Sequence, residues 1–436
     1  MDNIFLDGFS PDKPYWWEFF QPRDDLGADL PAHTDVAIIG GGYTAMTAAH
    51  VLAGSGIDVT VIEAEDFGFG ASTRNGGGVG GAVNVGKSLS GRRLEYQSGE
   101  REAILAESAQ VFRSIERLVS SENIACDWQS DGRFVGAWTP NHFRAQQASI
   151  PMMNEHAELG AEMLPRDRQH EHLRTELYHG GMLVKRSATL NPALLYKGLL
   201  ERSLASGARL CGRTRVTGLV RAGSNWEVRT NRGIVRADKV IVAANGYIDP
   251  AVPHLRKKII PVFSNIIVTE ELPDGMARHL FPTNRYVNDS PRIRSYYRLT
   301  PDGKRVLFGG RGRFSTASAI DHARSLYPMM IDRLPDLKGI NVAYAWSGRI
   351  AFTLDSIPHV GEENGVHFAL GCNGSGVAMM TYLGDYLGKK IAGNASHVSR
   401  FERPLPGHPL YGGNPWFLPL IGRYFQLRDR LDRSRS

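Results

Sequence analysis

The chain has 436 residues, 42% of them hydrophobic and 22% charged, with a formal net charge of +6. Its length is about three times that of a typical single domain and its composition is globular, which excludes a disulfide-stapled miniprotein and a disordered chain. Three widely spaced cysteines without a CxxC pattern, and histidines without an HExxH pattern, argue against a disulfide framework and a metal site.

The two ends of the chain bear on its location and partners. The start is acidic, and no uncharged apolar run reaches the ~18 residues of a bilayer span, so we expect a cytoplasmic protein without a transmembrane segment. Residues 423–436 carry five arginines and two aspartates. Such a tail is typical of a segment that binds nucleic acid or an anionic surface, or of a solvated, partly frayed terminus. Because no nucleic-acid recognition motif accompanies it, the sequence favours the solvated terminus.

A glycine-rich turn lies between a predicted strand and a predicted helix near the start. Residues 35–39 form an apolar run typical of a buried parallel strand, and Gly40-Gly41-Gly42-Tyr43-Thr44-Ala45 follows it. A helix to residue 54, a strand over residues 59–62 and the acidic Glu63 come next. This GxGxxA pattern, with an acid 63 − 42 = 21 residues after the second glycine of the pattern, predicts a dinucleotide-binding βαβ unit.

Each position of the pattern has a physical role. Gly40 makes the tight turn, Gly42 lets a pyrophosphate approach the backbone, and Ala45 lets the helix pack against the strand. The helix N-terminus offers free N–H groups and a partial positive charge to the phosphates. Glu63 accepts hydrogen bonds from ribose hydroxyls, which disfavours a 2′-phosphate.

A second glycine-rich segment, residues 68–78, indicates backbone contact further along a long ligand, with polar contacts from Arg74 and Asn75; the alternative is a flexible surface loop. Beyond it, the pattern predicts a helix over residues 100–120, strands over residues 126–138 and a helix that Asn191 caps. A meander over residues 209–246 follows, and its last strand ends at Asn245-Gly246, a further candidate for backbone contact with the dinucleotide.

The segment that follows the meander alternates between polar and apolar residues. Residues 259–313 read as antiparallel strands, with Tyr296, Arg298 and Thr300 on one face. A helix from about residue 320 to Pro335, a strand over residues 366–370, a glycine loop over residues 371–376 and a helix over residues 377–391 complete the prediction.

These residues resemble a known family. The motifs that carry the resemblance are IIGGGYTA (38–45), GFGASTRNGG (68–77), VIVAANGY (240–247), YYRLTPDG (296–303), WSGRIAFTLDSIPHVG (346–361), GCNGSGV (371–377) and LRDRL (427–431). The chain is similar to FAD-dependent amino acid and amine oxidoreductases of the D-amino acid oxidase/glycine oxidase superfamily, from about residue 34 to residue 435.

The resemblance implies an α/β fold: a discontinuous Rossmann-type FAD-binding domain with an inserted α+β substrate domain built on an antiparallel sheet. We expect the FAD-binding domain at residues 34–90, 188–250 and 345–395, and the substrate domain at residues 91–187 and 251–344. Residues 1–33 form an N-terminal arm and residues 396–436 a basic C-terminal tail.

The cofactor implied by the resemblance is FAD. We expect it to be non-covalent, because neither the histidine nor the cysteine that covalent relatives use is present at residues 72–75 or beside Gly348; Cys372 is more readily explained as a small buried residue. The predicted cofactor contacts are Gly40, Gly42, Tyr43, Thr44, Ala45, Glu63, Ala64, Ala71, Ser72, Arg74, Asn75, Gly76, Gly77, Val216, Ala243, Asn245, Gly246, Gly374, Ser375, Gly376 and Val377.

The implied activity is oxidation of the C–N bond of an amine or amino acid to an imine by hydride transfer to flavin N5, with O₂ or another electron acceptor. Arg298 is the candidate carboxylate anchor, although a structural ion pair would also explain it. Arg349 is a second candidate anchor, and Tyr297 and Trp346 are candidate walls of the substrate site. Asn373 and Ser375 are further candidate substrate contacts, in the segment where relatives often carry Ser-Gly-His-Gly. The alternatives are 2-hydroxy acid oxidation on the same fold and a flavin-stabilised assembly protein without turnover.

Overall fold

Two large β-sheets and one two-stranded sheet, with helices packed on the large sheets, make up the described part of the protein. The structure is a computed structural model that describes residues 4–80, 83, 85, 94–311 and 317–434. In chain order, the strands are β1 (Phe5–Pro11), β2 (His33–Ile39), β3 (Val59–Ile62), β4 (Gly78–Val79), β5 (Arg133–Gly136), β6 (Ala161–Leu164), β7 (Gly181–Val184), β8 (Ala188–Thr189), β9 (Arg209–Cys211), β10 (Val216–Ala222), β11 (Asn225–Thr230), β12 (Gly233–Val242), β13 (Ile260–Thr269), β14 (Tyr286–Asp289), β15 (Tyr296–Leu299), β16 (Val306–Gly310), β17 (Val342–Phe352), β18 (His359–Glu363) and β19 (Val366–Leu370).

The helices pack on both sheets. They are α1 (Tyr43–Gly54), α2 (Glu100–Ser121), α3 (Pro140–Ala157), α4 (Pro192–Ala205), α5 (Pro253–Arg256), α6 (Met276–Leu280), α7 (Ala319–Arg333), α8 (Gly376–Ile391) and α9 (Leu418–Ser434).

The first sheet contains the parallel core that the βαβ pattern predicts. Its parallel strands run in the order β19-β12-β2-β3-β9, while β10, β11 and β18 add antiparallel pairs. Val36 pairs with Val59 and Ile39 with Ile62. The turn after β2 and the acid after β3 therefore stand side by side at the carboxyl edge of the sheet, where open parallel sheets bind ligands.

The second sheet, the roof sheet, has nine strands in the order β1-β17-β13-β16-β15-β14-β5-β7-β6. Its pairs are antiparallel except β1 with β17 and β14 with β5. Side chains alternate between its faces. Phe134, Val287 and Tyr297 enter a buried core on one face, so their neighbours Arg133, Asn288 and Tyr296 point to the other. The predicted domain boundary before residue 345 falls within β17.

Close packing of two helices positions both of their N-termini. A Cβ on Gly384 of α8 would lie 2.5 Å from the carbonyl oxygen of Thr44, and one on Gly388 would lie 2.9 Å from Cβ of Val51. These glycines therefore let α8 lie directly against α1, as at other close helix crossings. The contact brings the start of α1, capped by Gly42, and the start of α8, capped by Ser375, to one side of the first sheet.

Several predicted elements are confirmed. The strands at residues 59–62 and 366–370 are present, and the Asn191 side chain caps α4 by accepting from the backbone N–H groups of Ala193 and Leu194. The C-terminal tail differs from the frayed terminus that we expected. It forms α9, whose Asp429 carboxylate accepts from the Arg292 guanidinium at 3.1 Å and from the Ile293 backbone N–H at 2.9 Å.

Two further observations concern the described part of the chain. No helix there is both long and apolar enough to cross a bilayer, and no three His, Cys, Asp or Glu side chains there are grouped so as to hold a metal ion. The cysteines Cys126, Cys211 and Cys372 are free and buried.

Candidate functional site

A cavity of about 960 Å³ lies at the carboxyl edge of the parallel strands and beneath the roof sheet. Its lining includes the turn after β2, the second glycine-rich segment, the end of β12 and the glycine loop before α8. Further lining comes from the face of the roof sheet that carries Tyr296, and from α3 through Gln146 and Met153. The volume lies at the upper end of the range usual for ligand cavities, which suits a long ligand.

The turn after β2 requires glycine at its first position. Gly40 has φ +100°, and a Cβ there would lie 2.9 Å from Cα of Ala244, just beyond β12. The Gly40 N–H donates to the carbonyl of Ile62 at 2.9 Å, and that of Ala243 donates to the carbonyl of Ile39 at 2.8 Å. The turn is thus pinned between the ends of β3 and β12.

A hydroxyl group stands at the N-terminus of α1. The Tyr43 N–H donates to Oγ of Ser72 at 3.0 Å, and a Cβ on Gly42 would lie 3.1 Å from the same oxygen. Gly42, the N-cap, has no side-chain oxygen to cap the helix. The free amide groups of the first turn and the Ser72 hydroxyl therefore form an anion-binding corner in the cavity.

Glu63 fixes the neighbouring part of the turn. Its Oε2 accepts from the Gly41 N–H at 2.6 Å and its Oε1 from the Glu65 N–H at 3.0 Å. Burial raises the pKa of this carboxyl, and the two backbone donors counter that effect. The side chain lines the cavity at the predicted ribose position.

We expect Glu63→Gln to weaken FAD binding by about 10- to 150-fold, since a hydrogen bond to a charged group contributes about 1.5–3 kcal/mol. Fluorescence titration of the apoprotein with FAD measures this affinity. Glu65→Gln is the matched control, because Glu65 also lines the cavity but is half-exposed and pairs with Arg215 at 2.7 Å. Parental affinity in Glu63→Gln would contradict the assigned contact.

The second glycine-rich segment is braced by its own side chains. The Asn75 amide donates to the carbonyls of Ala71 and Ser72 at 3.2 and 3.0 Å, and its Oδ1 accepts from the Gly77 N–H at 2.9 Å. Arg74 lines the cavity, but its Nε donates to the carbonyl of Phe69 at 2.7 Å. Its guanidinium also lies 4.5 Å from the centre of the Trp17 ring, so Arg74 ties the N-terminal arm to this segment.

Two asparagines hold the glycine loop before α8. The Asn245 side chain accepts from the Gly371 N–H at 3.0 Å, and that of Asn373 accepts from the Thr353 N–H at 3.0 Å. Asn245 and Asn373 themselves have φ of +46° and +48°, a left-handed conformation that asparagine tolerates. Both contacts fix the loop so that the N-terminus of α8 faces the cavity.

The roof sheet contributes polar side chains from neighbouring strands. Arg133 of β5 is opposite Tyr286 of β14, and Asn288 of β14 is opposite Tyr296 of β15. All four line the cavity, as does Arg311, directly after β16. None of these five residues was predicted as a site residue. The sequence only placed Tyr296 on one strand face with Arg298, and no local motif marks the other four.

The structure does not support Arg298 as the carboxylate anchor. The side chain is 2% exposed and is not part of the cavity lining. Its guanidinium donates to the carbonyls of Leu190, Gly77 and its neighbour Leu299, at 3.1, 3.4 and 2.9 Å. Burial lowers the pKa of Arg298 to about 10. These contacts make it a link between the second glycine-rich segment, the start of α4 and the roof sheet.

Tyr297 and Trp346, predicted as walls, also lie outside the cavity lining. The Tyr297 hydroxyl bonds to that of Tyr178 at 2.9 Å in the core on the far face of the roof sheet. Trp346 is 1% exposed, and its indole N–H donates to the carbonyl of Arg74 at 2.8 Å. The expectation fails because strand alternation directs Tyr297 away from Tyr296. Arg349 is exposed and lines the cavity, with its guanidinium 5.2 Å from the Tyr247 ring.

Most of the predicted cofactor contacts are brought together by the fold. Those that line the cavity are Gly40, Gly42, Tyr43, Thr44, Glu63, Ala64, Ala71, Ser72, Arg74, Asn75, Gly76, Val216, Ala243, Asn245, Gly246, Gly374, Ser375, Gly376 and Val377. Ala45 and Gly77 do not. Ala45 is fully buried in the core under α1, in the packing role expected of it, and a Cβ on Gly77 would meet the carbonyl oxygen of Leu190 at 2.1 Å.

The arrangement fits FAD. A side-chain-free turn and a helix N-terminus suit a pyrophosphate, the acid after β3 suits a ribose, and a second helix N-terminus faces the same long cavity. These features are independent of one another in sequence and converge only in the fold.

Comparison with known proteins identifies the family of the chain. Residues 35–390 match the family model DAO, described as FAD dependent oxidoreductase. The chain is 30% identical over 421 residues to gamma-glutamylputrescine oxidoreductase from Escherichia coli (strain K12), covering 94% of this chain and 96% of that protein.

Solved structures share the fold. Glycine oxidase from Geobacillus kaustophilus superposes with a TM-score of 0.71 at 19% identity, over 87% of this chain and 100% of that one. L-amino acid deaminase from Proteus vulgaris superposes with a TM-score of 0.69 at 15% identity, over 91% and 99%. The predicted α/β fold and FAD as cofactor are thereby confirmed, and the chain belongs to the DAO family of FAD-dependent oxidoreductases.

Proposed function

We propose that this flavoenzyme oxidises the C–N bond of an amine or amino acid that carries a carboxylate. Amine and amino acid chemistry is what the names of its relatives have in common. Support for a carboxylate on the substrate comes from Arg311. This arginine lines the cavity and has no ion-pair partner in the described ranges. Such a cation is a ready anchor for an anionic group.

Arg311 stands beside the glycine loop. Its guanidinium carbon lies 4.8 Å from the centre of the Phe352 ring, and the two residues that flank Phe352 are hydrogen-bonded to Asn373 of the loop. Burial lowers its pKa to about 10, with the nearby Arg294 charge acting in the same direction and Tyr296 and Cys372 opposing them. Cys372 belongs to the loop that leads into α8, and Tyr296 belongs to the roof sheet. We therefore place the substrate between these two elements, with its carboxylate on Arg311.

The protein's own groups would bind and orient the reactants. FAD supplies a two-electron acceptor that takes hydride from the carbon next to nitrogen and so leaves an imine, which water hydrolyses. The N-terminus of α8 would stabilise negative charge in the cavity, and the Tyr296 ring would limit the positions open to the substrate. Non-covalent binding of FAD is part of this proposal, and release of free FAD by heat or acid would support it. The two-domain division expected from the sequence is also part of the proposal.

The test of the function is anaerobic mixing of the holoenzyme with amines, amino acids and 2-hydroxy acids. Bleaching of the flavin absorbance by amines or amino acids alone supports the proposal. Bleaching by 2-hydroxy acids alone would favour C–O oxidation, and no bleaching by any compound would favour a non-catalytic flavoprotein.

Replacement of Arg311 tests the anchor. We expect Arg311→Gln to lower kcat/KM by about 10- to 150-fold, the equivalent of a charge-assisted hydrogen bond of about 1.5–3 kcal/mol, while FAD content stays parental. Arg278→Gln, an exposed arginine on α6 outside the cavity lining, is the control for charge. Steady-state kinetics on the best substrate gives the result, and an unchanged kcat/KM would exclude Arg311 as the anchor.

A further inference from the structure

We propose that the substrate carries two carboxylates, the first held by Arg311 and the second by Arg133. This inference rests on the proposed function and specifies its substrate class. The two arginines come from β5 and from the residue after β16, and both side chains face the same cavity.

Arg133 faces the cavity because of strand register. It is opposite Tyr286 of β14, while the next residue, Phe134, is buried in the core on the far face. A Cβ on Gly80 would lie 3.7 Å from an Arg133 terminal nitrogen, and one on Gly78 would lie 3.0 Å from the Tyr286 ring. The guanidinium of Arg133 therefore lies next to Gly80, and the ring of its strand neighbour Tyr286 packs closely on Gly78, at the end of the second glycine-rich segment.

No acid of the described ranges forms an ion pair with Arg133 or Arg311. The cavity-lining acids are already engaged: Glu63 by backbone N–H groups, Glu65 and Asp249 by Arg215, and Asp289 by Arg333 at 2.9 Å. The internal segments outside the described ranges, within residues 81–93 and 312–316, contain no Asp or Glu in their sequence. The part of the chain that the structure describes therefore offers these two cations no unengaged carboxylate at the cavity.

The contrast with Arg333 shows what is missing. Arg333 is 4% exposed, and both its Nε and a terminal nitrogen donate to the Asp289 carboxylate, at 3.0 and 2.9 Å. Arg133 is partly buried, and its Nε is buried without a hydrogen-bond partner. Burial lowers the pKa of Arg133, and Arg294 lowers it further. A desolvated cation without an anion is unfavourable, so a ligand anion here would be strongly favoured.

The two sites need two separate anions. Arg294 lines the same cavity, and its charge lowers the pKa of both Arg133 and Arg311. The order β16-β15-β14-β5 puts three strand spacings, or about 14 Å, between the two strands. The register also sets Arg133 level with Leu307, so Arg311 lies 311 − 307 = 4 residues, or about 13 Å, further along the strand direction. A single carboxylate does not neutralise both Arg133 and Arg311, whereas a molecule with two carboxylates several bonds apart does.

Neutral acceptors lie in the same region. Oδ1 of Asn288 and Oε1 of Gln146 are buried and have no hydrogen-bond partner in the described structure. Both side chains line the cavity. They are suited to accept from N–H groups of the substrate. The substrate class is therefore an amine or amide-linked amino acid with two carboxylates separated by several bonds.

The test compares two non-reacting ligands of equal length, adipate and hexanoate, titrated into the holoenzyme. Binding is followed by perturbation of the flavin spectrum and by calorimetry. We expect adipate to bind at least about 10-fold more tightly than hexanoate, as a further charge-assisted contact provides. In Arg133→Gln the preference for adipate should disappear while hexanoate affinity stays parental, and Arg133→Lys should restore part of it.

Arg285→Gln is the matched control. Arg285 precedes Tyr286, donates to a ring nitrogen of His172 at 3.3 Å and is outside the cavity lining, so its removal deletes one nearby charge without touching the site. FAD content and the thermal midpoint confirm that each variant is folded. Equal binding of adipate and hexanoate by the parent, or an unchanged preference in Arg133→Gln, would overturn the inference.

Failure of the inference and failure of the function are distinguishable. If monocarboxylate amines bleach the flavin as well as dicarboxylate amines do, the oxidation of amines stands and the second carboxylate is excluded. If adipate binding depends on Arg133 while only 2-hydroxy acids bleach the flavin, the two-anion site stands and C–N oxidation is excluded.

Discussion

Gly40→Ala is expected to yield a protein that does not retain FAD through purification. At φ +100° a Cβ is sterically disfavoured, and here it would also lie 2.9 Å from Cα of Ala244. The backbone conformation alone costs about 1–2 kcal/mol. The larger effect is displacement of the turn or of the end of β12, because both line the cavity. A shift of either one would change the shape of the anion-binding corner, where the FAD pyrophosphate is expected.

The ratio of flavin to protein absorbance in the purified variant measures this effect, and far-UV circular dichroism checks the fold. Gly218→Ala is the matched control: Gly218 lies on β10 of the same sheet, has no positive φ, and a Cβ there has open space within 4 Å. It should retain parental FAD content. Parental FAD content in Gly40→Ala would show that the turn is not the cofactor cradle.

Arg298→Ala is expected to destabilise the protein by about 3 kcal/mol or more. The side chain donates to three backbone carbonyls. Truncation leaves those of Leu190 and Leu299 without this donor, at about 1 kcal/mol or more each, whereas that of Gly77 still accepts from the Leu190 N–H at 2.9 Å. Truncation also leaves a void next to Trp16, whose ring centre lies 5.6 Å from the guanidinium carbon. The stability effect should therefore exceed any effect on catalysis per bound flavin.

Urea denaturation followed by tryptophan fluorescence measures the loss, and kinetics normalised to FAD content separates it from catalysis. Arg349→Ala removes an exposed arginine at the cavity. It should leave the free energy of unfolding within about 0.5 kcal/mol of the parental value. A stable Arg298→Ala with a 100-fold lower kcat/KM would restore Arg298 as the substrate anchor.

The exposed side of α9 is a separate feature of this chain. Leu420, Tyr424, Leu427 and Leu431 are 60%, 54%, 57% and 39% exposed, and they follow one another at intervals of four, three and four residues. Such spacing places them on one side of the helix. The basic tail noted in the sequence is thus an ordered amphipathic helix, whose acidic residues hold it to the roof sheet through Arg292.

The dinucleotide half of the site was predictable because its determinants are local. The turn at Gly40, the N-terminus of α1 and Glu63 lie within a single βαβ unit, and the parallel pairing of β2 with β3 requires them to meet. The glycine loop before α8 was predictable for the same reason. Period two placed Tyr296, Arg298 and Thr300 on one face, and of these three only Tyr296 lines the cavity.

The substrate half depended on strand order, which no local pattern contains. Alternation placed Arg298 on the face of Tyr296, yet only the packed segment around Gly77 shows that backbone carbonyls occupy its guanidinium. Arg133 reaches the cavity because β5 pairs with β14, about 150 residues later in the chain. The sequence by itself therefore indicated a dinucleotide-binding turn through short-range geometry, and FAD through its resemblance to a family, whereas long-range strand pairing decided which arginines of the roof sheet face the cavity.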